Sequence, residues 1–376
     1  MDFELNDEQV LLKDSVERFV QDNYELTHRE ALVATDLGFS RDNWNTFAEM
    51  GWLGLPFSEE AGGFDGTPVD VAAIMEAMGA GLVLEPYLST VLLGGRLIEK
   101  AGSDEQKNEL LTSIIGGETL VAFAYAESQS RFNLADVATT AEKSDGGYVI
   151  NGRKSVVLNA ASADKIIVSC RTAGEARDEA GISLLIVDAD APGLTSQDFR
   201  TLDGGRASDL TFDNVSVDAD ALLGEEGGAY PVIEEVIDLA ISAVCAEAVG
   251  AMRKTNEITK EYAGTRKQFG APIGTNQVIQ HRLVDMHIAA EESKSMSDMG
   301  AMRISGDANE RRIVASAIKS KIGEAGQFIG EQGIQLHGGI GMTNEYVIGH
   351  YYKRLQVINM LFGNVEHHVK RFTDLS

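Results

Sequence analysis

The residues whose types and spacing most clearly suggest a binding site lie in the last third of the chain. Arg266 follows a long helical stretch, and its guanidinium fork could match the oxygens of a phosphate group. Gly338 and Gly339 form a pair at which a backbone can approach a ligand closely. Each feature is weak alone, because an arginine at a helix end is usually solvated and a glycine pair usually marks a turn.

Other residues that could bind a metal or a phosphate, such as cysteines and a glycine-rich stretch, form no recognisable site in the sequence. Cys170 and Cys245 have no metal-ligand or disulfide spacing, so we interpret them as free cytosolic thiols and predict no metal site. Residues 59–66 are rich in glycine, but nothing marks a strand before them. We therefore interpret this stretch as a turn and not as a phosphate-binding loop.

Length and charge limit the classes of function. The chain has 376 residues, which suggests two or three domains. Its net charge of −26 argues against nucleic acid or an anionic membrane as a partner, because the field repels phosphates. No apolar run approaches the roughly 18 residues needed to span a bilayer. The acidic start, residues 1–5, lacks the basic region of a signal peptide, so we expect a cytoplasmic protein without membrane insertion.

The periodicity of apolar residues changes twice along the chain. Residues 1–118 show helical spacing, and Asn6 is placed to cap the first helix. Residues 119–228 contain short apolar runs separated by turn residues, which predicts a compact β domain. Residues 229–376 return to helical spacing, with long helices predicted over 232–262, 276–303, 307–336 and 345–362. Long helices joined by short loops favour a bundle.

Three C-terminal stretches, residues 265–273, 335–343 and 361–364, together resemble the flavin-binding sequence of the acyl-CoA dehydrogenase family. The resemblance covers essentially the whole chain. It implies the α+β multidomain fold of that family: an N-terminal helical domain, a middle β domain and a C-terminal four-helix bundle. It also implies FAD as the cofactor.

The resemblance assigns a role in FAD binding to residues in two parts of the sequence. In the family the arginine that matches Arg266 meets the FAD pyrophosphate, commonly from a neighbouring subunit, and the strand that matches Phe123 lines the flavin ring. The implied cofactor-binding residues are Arg266, Phe269, Gln277, Gln335, Gly338, Gly339, Asn364, Glu366, Phe123, Tyr125 and Ala126.

The middle domain departs from the family pattern at two places. Residues 128–133 replace the usual proline and Gly-x-Gly-Ser turn. Val156 and Leu158 stand where the family typically has a tryptophan and a threonine near the flavin. These two side chains can only pack or leave their backbone for contacts, so a plain core strand is an equal interpretation.

The general base of the family is missing from its two known positions. Those positions correspond to Phe362 and Ala240, and neither side chain can accept a proton. Glu247 is the acidic candidate, but it lies seven residues after Ala240, or about 10 Å along a helix. We expect it to contact the far end of an acyl chain or a buried partner at a subunit interface. His367 and His368 are interpreted as part of a surface helix.

Several functions are compatible with these residues. The resemblance implies α,β-desaturation of an acyl-CoA, with electron-transfer flavoprotein as the acceptor. Local sequence near the C-terminus resembles the small subunit of pimeloyl-CoA dehydrogenase-type enzymes and the heteromeric steroid side-chain dehydrogenases. A second chain of this kind, in an α2β2 assembly, would supply the base. The alternatives are a homo-oligomer, a catalytically silent subunit that completes FAD sites, and a same-fold flavin oxidase of another small substrate.

Overall fold

The computed structural model describes residues 4–376, so the first three residues of the acidic start lie outside the described part. Contacts within the chain define two compact units. Unit 1 contains the described residues up to Ala31, then Thr67–Val83 and Ile241–Ser376. Unit 2 contains Leu32–Gly66 and Leu84–Ala240. The three-domain division at residues 118 and 228 stays a prediction.

The N-terminal part of the chain is helical, as its periodicity predicts. The helices are α1 (Asp7–Asn23), α2 (Leu26–Ala34), α3 (Arg41–Glu49), α4 (Pro68–Gly81), α5 (Arg96–Ala101), α6 (Asp104–Gln106) and α7 (Thr112–Ile115), with π-helical turns at Tyr87–Gly95 and Lys107–Leu111. Asn6 caps α1 as predicted: its side chain accepts from the Gln9 N–H, and the Gln9 side chain accepts from the Asn6 N–H.

The sheet belongs to unit 2. Its strands are β1 (Val121–Ala124), β2 (Thr140–Ser144), β3 (Gly147–Leu158), β4 (Lys165–Arg171), β5 (Ile182–Asp188), β6 (Leu194–Arg200), β7 (Arg206–Asp218) and β8 (Leu222–Leu223). They run in the order β6-β7-β3-β2-β4-β5-β8, and β1 pairs with β4. The β1–β4 and β2–β4 pairs are parallel and the other pairs are antiparallel. Inward-facing side chains such as Ile150, Ile166, Val168, Leu185 and Phe212 form the core.

The C-terminal part follows the predicted helices closely. It contains α8 (Tyr230–Thr265), a short hairpin of β9 (Lys267–Gln268) and β10 (Ala271–Pro272), α9 (Gln277–Arg303), α10 (Ala308–His337), α11 (Ile348–Met360) and α12 (Val365–Leu375). The prediction for the last long helix was too long at both ends. It stops at Met360 because Phe362 and Gly363 have φ values of +60° and +122°, which a right-handed helix excludes.

Glycine allows two helices of unit 1 to cross with their backbones in contact. A Cβ added at Gly79 of α4 would lie 2.0 Å from the Glu247 carbonyl oxygen of α8. A Cβ at Gly250 would lie 1.9 Å from the Glu76 carbonyl oxygen. Any larger residue at either position would push α4 and α8 apart, so this crossing sets where the carboxylate of Glu247 lies.

Candidate cofactor and active site

The hairpin after α8 presents its side chains to solvent. Two residues with positive φ, Phe269 at +53° and Gly270 at +86°, form the tight turn between β9 and β10. The Phe269 side chain is fully exposed, and Arg266 is exposed at the base of the hairpin. Across residues 4–376, no side-chain hydrogen bond or ion pair occupies the Arg266 guanidinium. It is therefore available to a phosphate.

The structure brings the glycine pair close to the end of α8. Gly338 has φ +64° and ψ −139°, a conformation open mainly to glycine, and it ends α10. Tyr262, one helical turn before Arg266, stacks on His337 with ring centroids 4.3 Å apart. A Cβ added at Gly338 or Gly339 would meet no atom within 4 Å, so the space beside this backbone is open. Two predicted parts of the cofactor site thus come together within unit 1.

His337 was not predicted as a site residue. Its Nδ1 lies 2.8 Å from the Gly333 carbonyl oxygen, so Nδ1 carries the proton and Nε2 has a free lone pair. That Nε2 atom is buried and has no hydrogen-bond partner in residues 4–376. Burial lowers the pKa of His337, which keeps the ring neutral. A free acceptor next to an open glycine turn is consistent with a bound ligand that donates a hydrogen bond to Nε2 of His337.

The other predicted cofactor residues of unit 1 lie at helix starts or ends. Gln277 is the exposed first residue of α9, where backbone N–H groups carry the positive end of the helix dipole. Gln335 is exposed in the last turn of α10. Asn364 caps α12 by accepting from the His367 N–H at 3.0 Å, and Glu366 is exposed in the first turn of α12. Asn364 therefore has a structural role that the sequence did not reveal.

The strand end predicted to line the flavin ring is held in place by a buried ion pair of unit 2. The Phe123 and Tyr125 rings lie 5.1 Å apart, and the carbonyl oxygens of Tyr125 and Ala126 accept from the Lys154 ammonium and the Ser155 N–H. The same ammonium lies 2.7 Å from the Glu127 carboxylate, with both side chains buried.

Glu127 remains ionised in this environment. Burial alone would raise the pKa of Glu127, but the Lys154 ammonium and hydrogen bonds from Gln129 and the Ala138 N–H lower it below its usual value. Lys154 and Glu127 hold the end of this strand, and neither was predicted as a site residue. Lys154 lies between Arg153 and Ser155, so the local sequence did not show that its side chain is buried.

The departure at Val156 has a structural consequence. Val156 lies in a bulge of β3 with φ +54°, a conformation that a β-branched residue rarely adopts, and its side chain is 53% exposed. The Asp209 carboxylate accepts from its N–H at 2.9 Å. Strained backbone of this type is concentrated at binding sites. Val156 therefore does not behave as a residue of a plain core strand.

The structure offers no free carboxylate at the family base positions. Ala240 and Phe362 are both buried apolar residues. Glu247 is 4% exposed, and both of its oxygens accept from Arg354 of α11, at 2.6 and 2.8 Å. A bidentate arginine stabilises the ionised carboxylate and covers it, which opposes a role as general base. The partner of Glu247 is therefore an arginine of this chain and not a residue at a subunit interface, as we expected.

His368 corrects one expectation from the sequence. It lies on α12, but it is fully buried and its Nε2 lies 3.1 Å from the Phe362 carbonyl oxygen. The interpretation of this residue as part of a helix surface is wrong, because α12 is strongly amphipathic and His368 lies on its inner face.

Comparison with known proteins identifies the family. The acyl-CoA dehydrogenase N-terminal domain matches residues 6–118, the middle domain matches residues 122–215 and the C-terminal domain matches residues 230–373. The mitochondrial isovaleryl-CoA dehydrogenase of Oryza sativa subsp. japonica is 31% identical over 368 residues, which cover 96% of this chain and 89% of that protein. The chain belongs to the acyl-CoA dehydrogenase family. Membership confirms the predicted fold and FAD as the cofactor.

Solved structures with this acyl-CoA dehydrogenase fold include two steroid-related or paired proteins. The Tcur3481–Tcur3483 steroid ACAD is 27% identical, with a TM-score of 0.87 over 98% of this chain and 97% of that one. The ChsE4–ChsE5 complex from Mycobacterium tuberculosis is 23% identical, with a TM-score of 0.90 over 100% of this chain and 98% of that one. The second likeness concerns the fold alone.

The residues present fit FAD as this family uses it. Taken by itself, unit 1 has an open glycine turn, and within residues 4–376 the Arg266 guanidinium and Nε2 of His337 have no partner. Taken by itself, unit 2 has an ordered strand end at Tyr125 and Ala126. Within residues 4–376 no cluster of histidine, cysteine and acidic residues could hold a metal ion, and no helix is long and apolar enough to cross a membrane.

Proposed function

We propose that this chain is a subunit of an FAD-dependent acyl-CoA dehydrogenase that catalyses α,β-desaturation, and that a second, related chain supplies the general base. The proposal that a second chain supplies the base rests on the residues at the two family base positions and on the surroundings of Glu247. Phe362 and Ala240 cannot accept a proton, and Glu247 is held by Arg354. Removal of an α-proton requires a carboxylate that can reach it, with a pKa suited to the task.

The residues of this chain bind and orient in the proposed function. FAD, when bound, supplies the hydride acceptor. Arg266 would pair with its pyrophosphate, and the backbone at Gly338 and Gly339 would lie against the dinucleotide. Tyr125, held by Lys154, and Ala126, held by the Ser155 N–H, would line the flavin ring, and Phe362 would exclude water from the acyl group.

An oligomer completes this proposal. Phe269 and Arg266 are suited to a site on a second chain, because both side chains are exposed and the Arg266 guanidinium has no partner among residues 4–376. We propose an α2β2 heteromer of the kind suggested by the pimeloyl-CoA and steroid side-chain dehydrogenases. The likeness to the Tcur3481–Tcur3483 steroid ACAD supports this choice. A homo-oligomer is the alternative assembly.

The acceptor and location follow from the same proposal. We propose electron-transfer flavoprotein as the acceptor and an acyl-CoA with a bulky or dicarboxylic acyl group as the substrate. The buried, free thiols of Cys170 and Cys245 are consistent with a cytoplasmic protein.

A second candidate function is favoured by the same observation. With no usable base, the chain would be catalytically silent and would only complete the FAD site of its partner. The two candidates differ in whether the flavin bound with this chain's own Tyr125 segment is ever reduced by substrate.

Anaerobic reduction of the flavin tests both candidates. The purified chain, with and without a co-expressed partner, is mixed with a panel of acyl-CoA thioesters while flavin absorbance is followed. We expect slow bleaching by the chain alone and fast bleaching with a partner that carries a glutamate at either base position. General-base assistance accounts for about 10²–10⁴-fold of the rate.

The contrary results identify the error. Fast bleaching by the chain alone that is abolished by Glu247→Gln would make Glu247 the base. Fast bleaching that survives this change would show that the base positions are misassigned.

A further inference from the structure

A buried lysine fastens the turn at residues 361–364, which we call the base-position turn. Lys319, on α10, is 1% exposed. Its ammonium donates to the carbonyl oxygens of Asn359 at 3.0 Å and Gly363 at 2.7 Å. In the described part of the chain, no carboxylate pairs with this ammonium. Among residues 4–376, the hydrogen-bond partners of this ammonium are two backbone carbonyl groups, one before and one after Phe362.

A buried histidine holds the carbonyl between them. Nε2 of His368 lies 3.1 Å from the Phe362 carbonyl oxygen. Because a carbonyl oxygen only accepts, Nε2 carries the proton and Nδ1 has the lone pair. That Nδ1 atom is buried without a partner in residues 4–376. Burial, with the nearby Lys319 charge adding to it, lowers the pKa of His368 to about 2, so the ring stays neutral.

The base-position turn has a strained backbone conformation. Phe362 has φ +60°, which is unfavourable for a bulky residue, and Gly363 has φ +122°. A Cβ added at Gly363 would lie 2.6 Å from Nε2 of His368, so the histidine is packed directly against the turn. A strained backbone persists only where its surroundings determine it. Here the surroundings are the Lys319 and His368 donors.

The ammonium group needs a reason to be buried. Taking a charge out of water without a counter-ion is unfavourable, and an apolar side chain of similar length would pack at the same place without that cost. Burial lowers the pKa of Lys319 to about 8. At neutral pH the ammonium is a charge-assisted donor at the C-terminal end of α11, where the helix dipole favours a cation.

We propose that Lys319 and His368 are positioning residues of the flavin site, which together hold the base-position turn so that Phe362 and Asn364 keep one orientation. The inference rests on the proposed function for the placement of this turn beside the flavin. Holding three carbonyl groups fixes the backbone on both sides of Phe362. It also fixes Asn364, which starts α12.

Hydrogen–deuterium exchange of the peptide that spans residues 359–365 tests the inference without any cofactor. Lys319→Met removes the ammonium and keeps the length. Lys321→Met is the matched control, because Lys321 lies on the same helix at the surface and pairs with Glu292. We expect exchange in this peptide to increase about tenfold or more in Lys319→Met and to stay within about twofold of the parent in Lys321→Met.

The histidine provides a second pair of variants, which decides the matter if Lys319→Met does not fold. His368→Gln keeps an N–H donor near the position of Nε2, whereas His368→Leu removes it. We expect His368→Leu to increase exchange and His368→Gln to restore protection. A merely space-filling histidine would give the opposite order, because leucine packs better in an apolar site.

FAD affinity and the flavin spectrum separate this inference from the proposed function. We expect Lys319→Met to weaken FAD binding about tenfold and to shift the visible flavin band, with Lys321→Met unchanged. Parent-like exchange in folded Lys319→Met would overturn the inference. Increased exchange with unchanged FAD binding and spectrum would support the inference that Lys319 and His368 hold the base-position turn. It would overturn the placement of that turn beside the flavin.

Discussion

The hairpin at residues 266–273 and the base-position turn at residues 361–364 lie in the same compact unit and are built in opposite ways. The hairpin exposes Phe269 and leaves the Arg266 side chain without a partner among residues 4–376. The turn is buried, and its carbonyl groups accept from Lys319 and His368. The hairpin is accessible to a ligand or a second chain, whereas the turn is held by side chains of this chain.

This difference separates cofactor binding from proton transfer. Groups that bind a phosphate must remain accessible until the ligand arrives, and Arg266 does. A general base must present a lone pair towards substrate, and the side chain of Phe362 has none. In the proposed function, this chain therefore keeps the groups that would hold FAD, and a partner would supply the base.

The strongest test places a base in the turn. We expect Phe362→Glu to accelerate flavin reduction by acyl-CoA about 10²–10⁴-fold over the parent chain, because it adds a carboxylate at the family position. Stopped-flow absorbance under anaerobic conditions measures the rate. Phe362→Gln is the control, since it has the same size and polarity without a basic oxygen. Equal rates for the two variants would show that the turn is not where proton abstraction takes place.

The next effect concerns the covered carboxylate. Arg354→Leu leaves Glu247 buried without its partner, and we expect the free energy of unfolding to fall by about 3–5 kcal/mol. Urea denaturation followed by circular dichroism measures it. The double variant Arg354→Leu with Glu247→Leu removes both charges and should recover most of the loss. A single variant as stable as the parent would mean that Glu247 is solvated and remains a candidate base.

A smaller effect is expected at the hairpin, and on binding only. Arg266→Ala removes a charge-assisted contact, so we expect FAD affinity to fall by about 1.5–3 kcal/mol. Because Arg266 is exposed and unpaired, the free energy of unfolding of the apoprotein should change by less than about 0.5 kcal/mol. Lys267→Ala, at the next exposed position, is the control. Equal flavin retention by the Arg266 variant and the parent would remove Arg266 from the site.

The smallest effect is the pH dependence of the buried turn. The pKa of Lys319 is lowered by burial from 10.5 to about 8, so between these values the unfolded chain binds a proton that the folded chain does not. Stability conferred by this group therefore rises with pH, by up to about 1.4 kcal/mol per pH unit. In urea denaturation, the free energy of unfolding of the parent relative to that of Lys319→Met should be higher at pH 9.5 than at pH 7.5. An unchanged difference between them would place Lys319 in solvent.

The sequence predicted the helices better than the strands. Helices α8, α9 and α10 begin and end within a few residues of their predicted bounds, because a long apolar period repeats many times. Strand β6 (Leu194–Arg200) was missed, since its side chains are mostly exposed and show no alternation. The separate short apolar runs at residues 210–212 and 215–217 belong to one strand, β7, because apolar and polar residues change places at its bulges.

The sequence by itself determined the family and the cofactor, and it predicted the missing base, because each is written in short contiguous stretches whose residue types can be compared directly. Only the tertiary structure decided what the buried charges do. Arg354 reaches Glu247 across 107 residues, and Lys319 reaches Gly363 across 44. Such pairs depend on how helices pack and on which side chains lose water, and no local pattern records a partner so far along the chain.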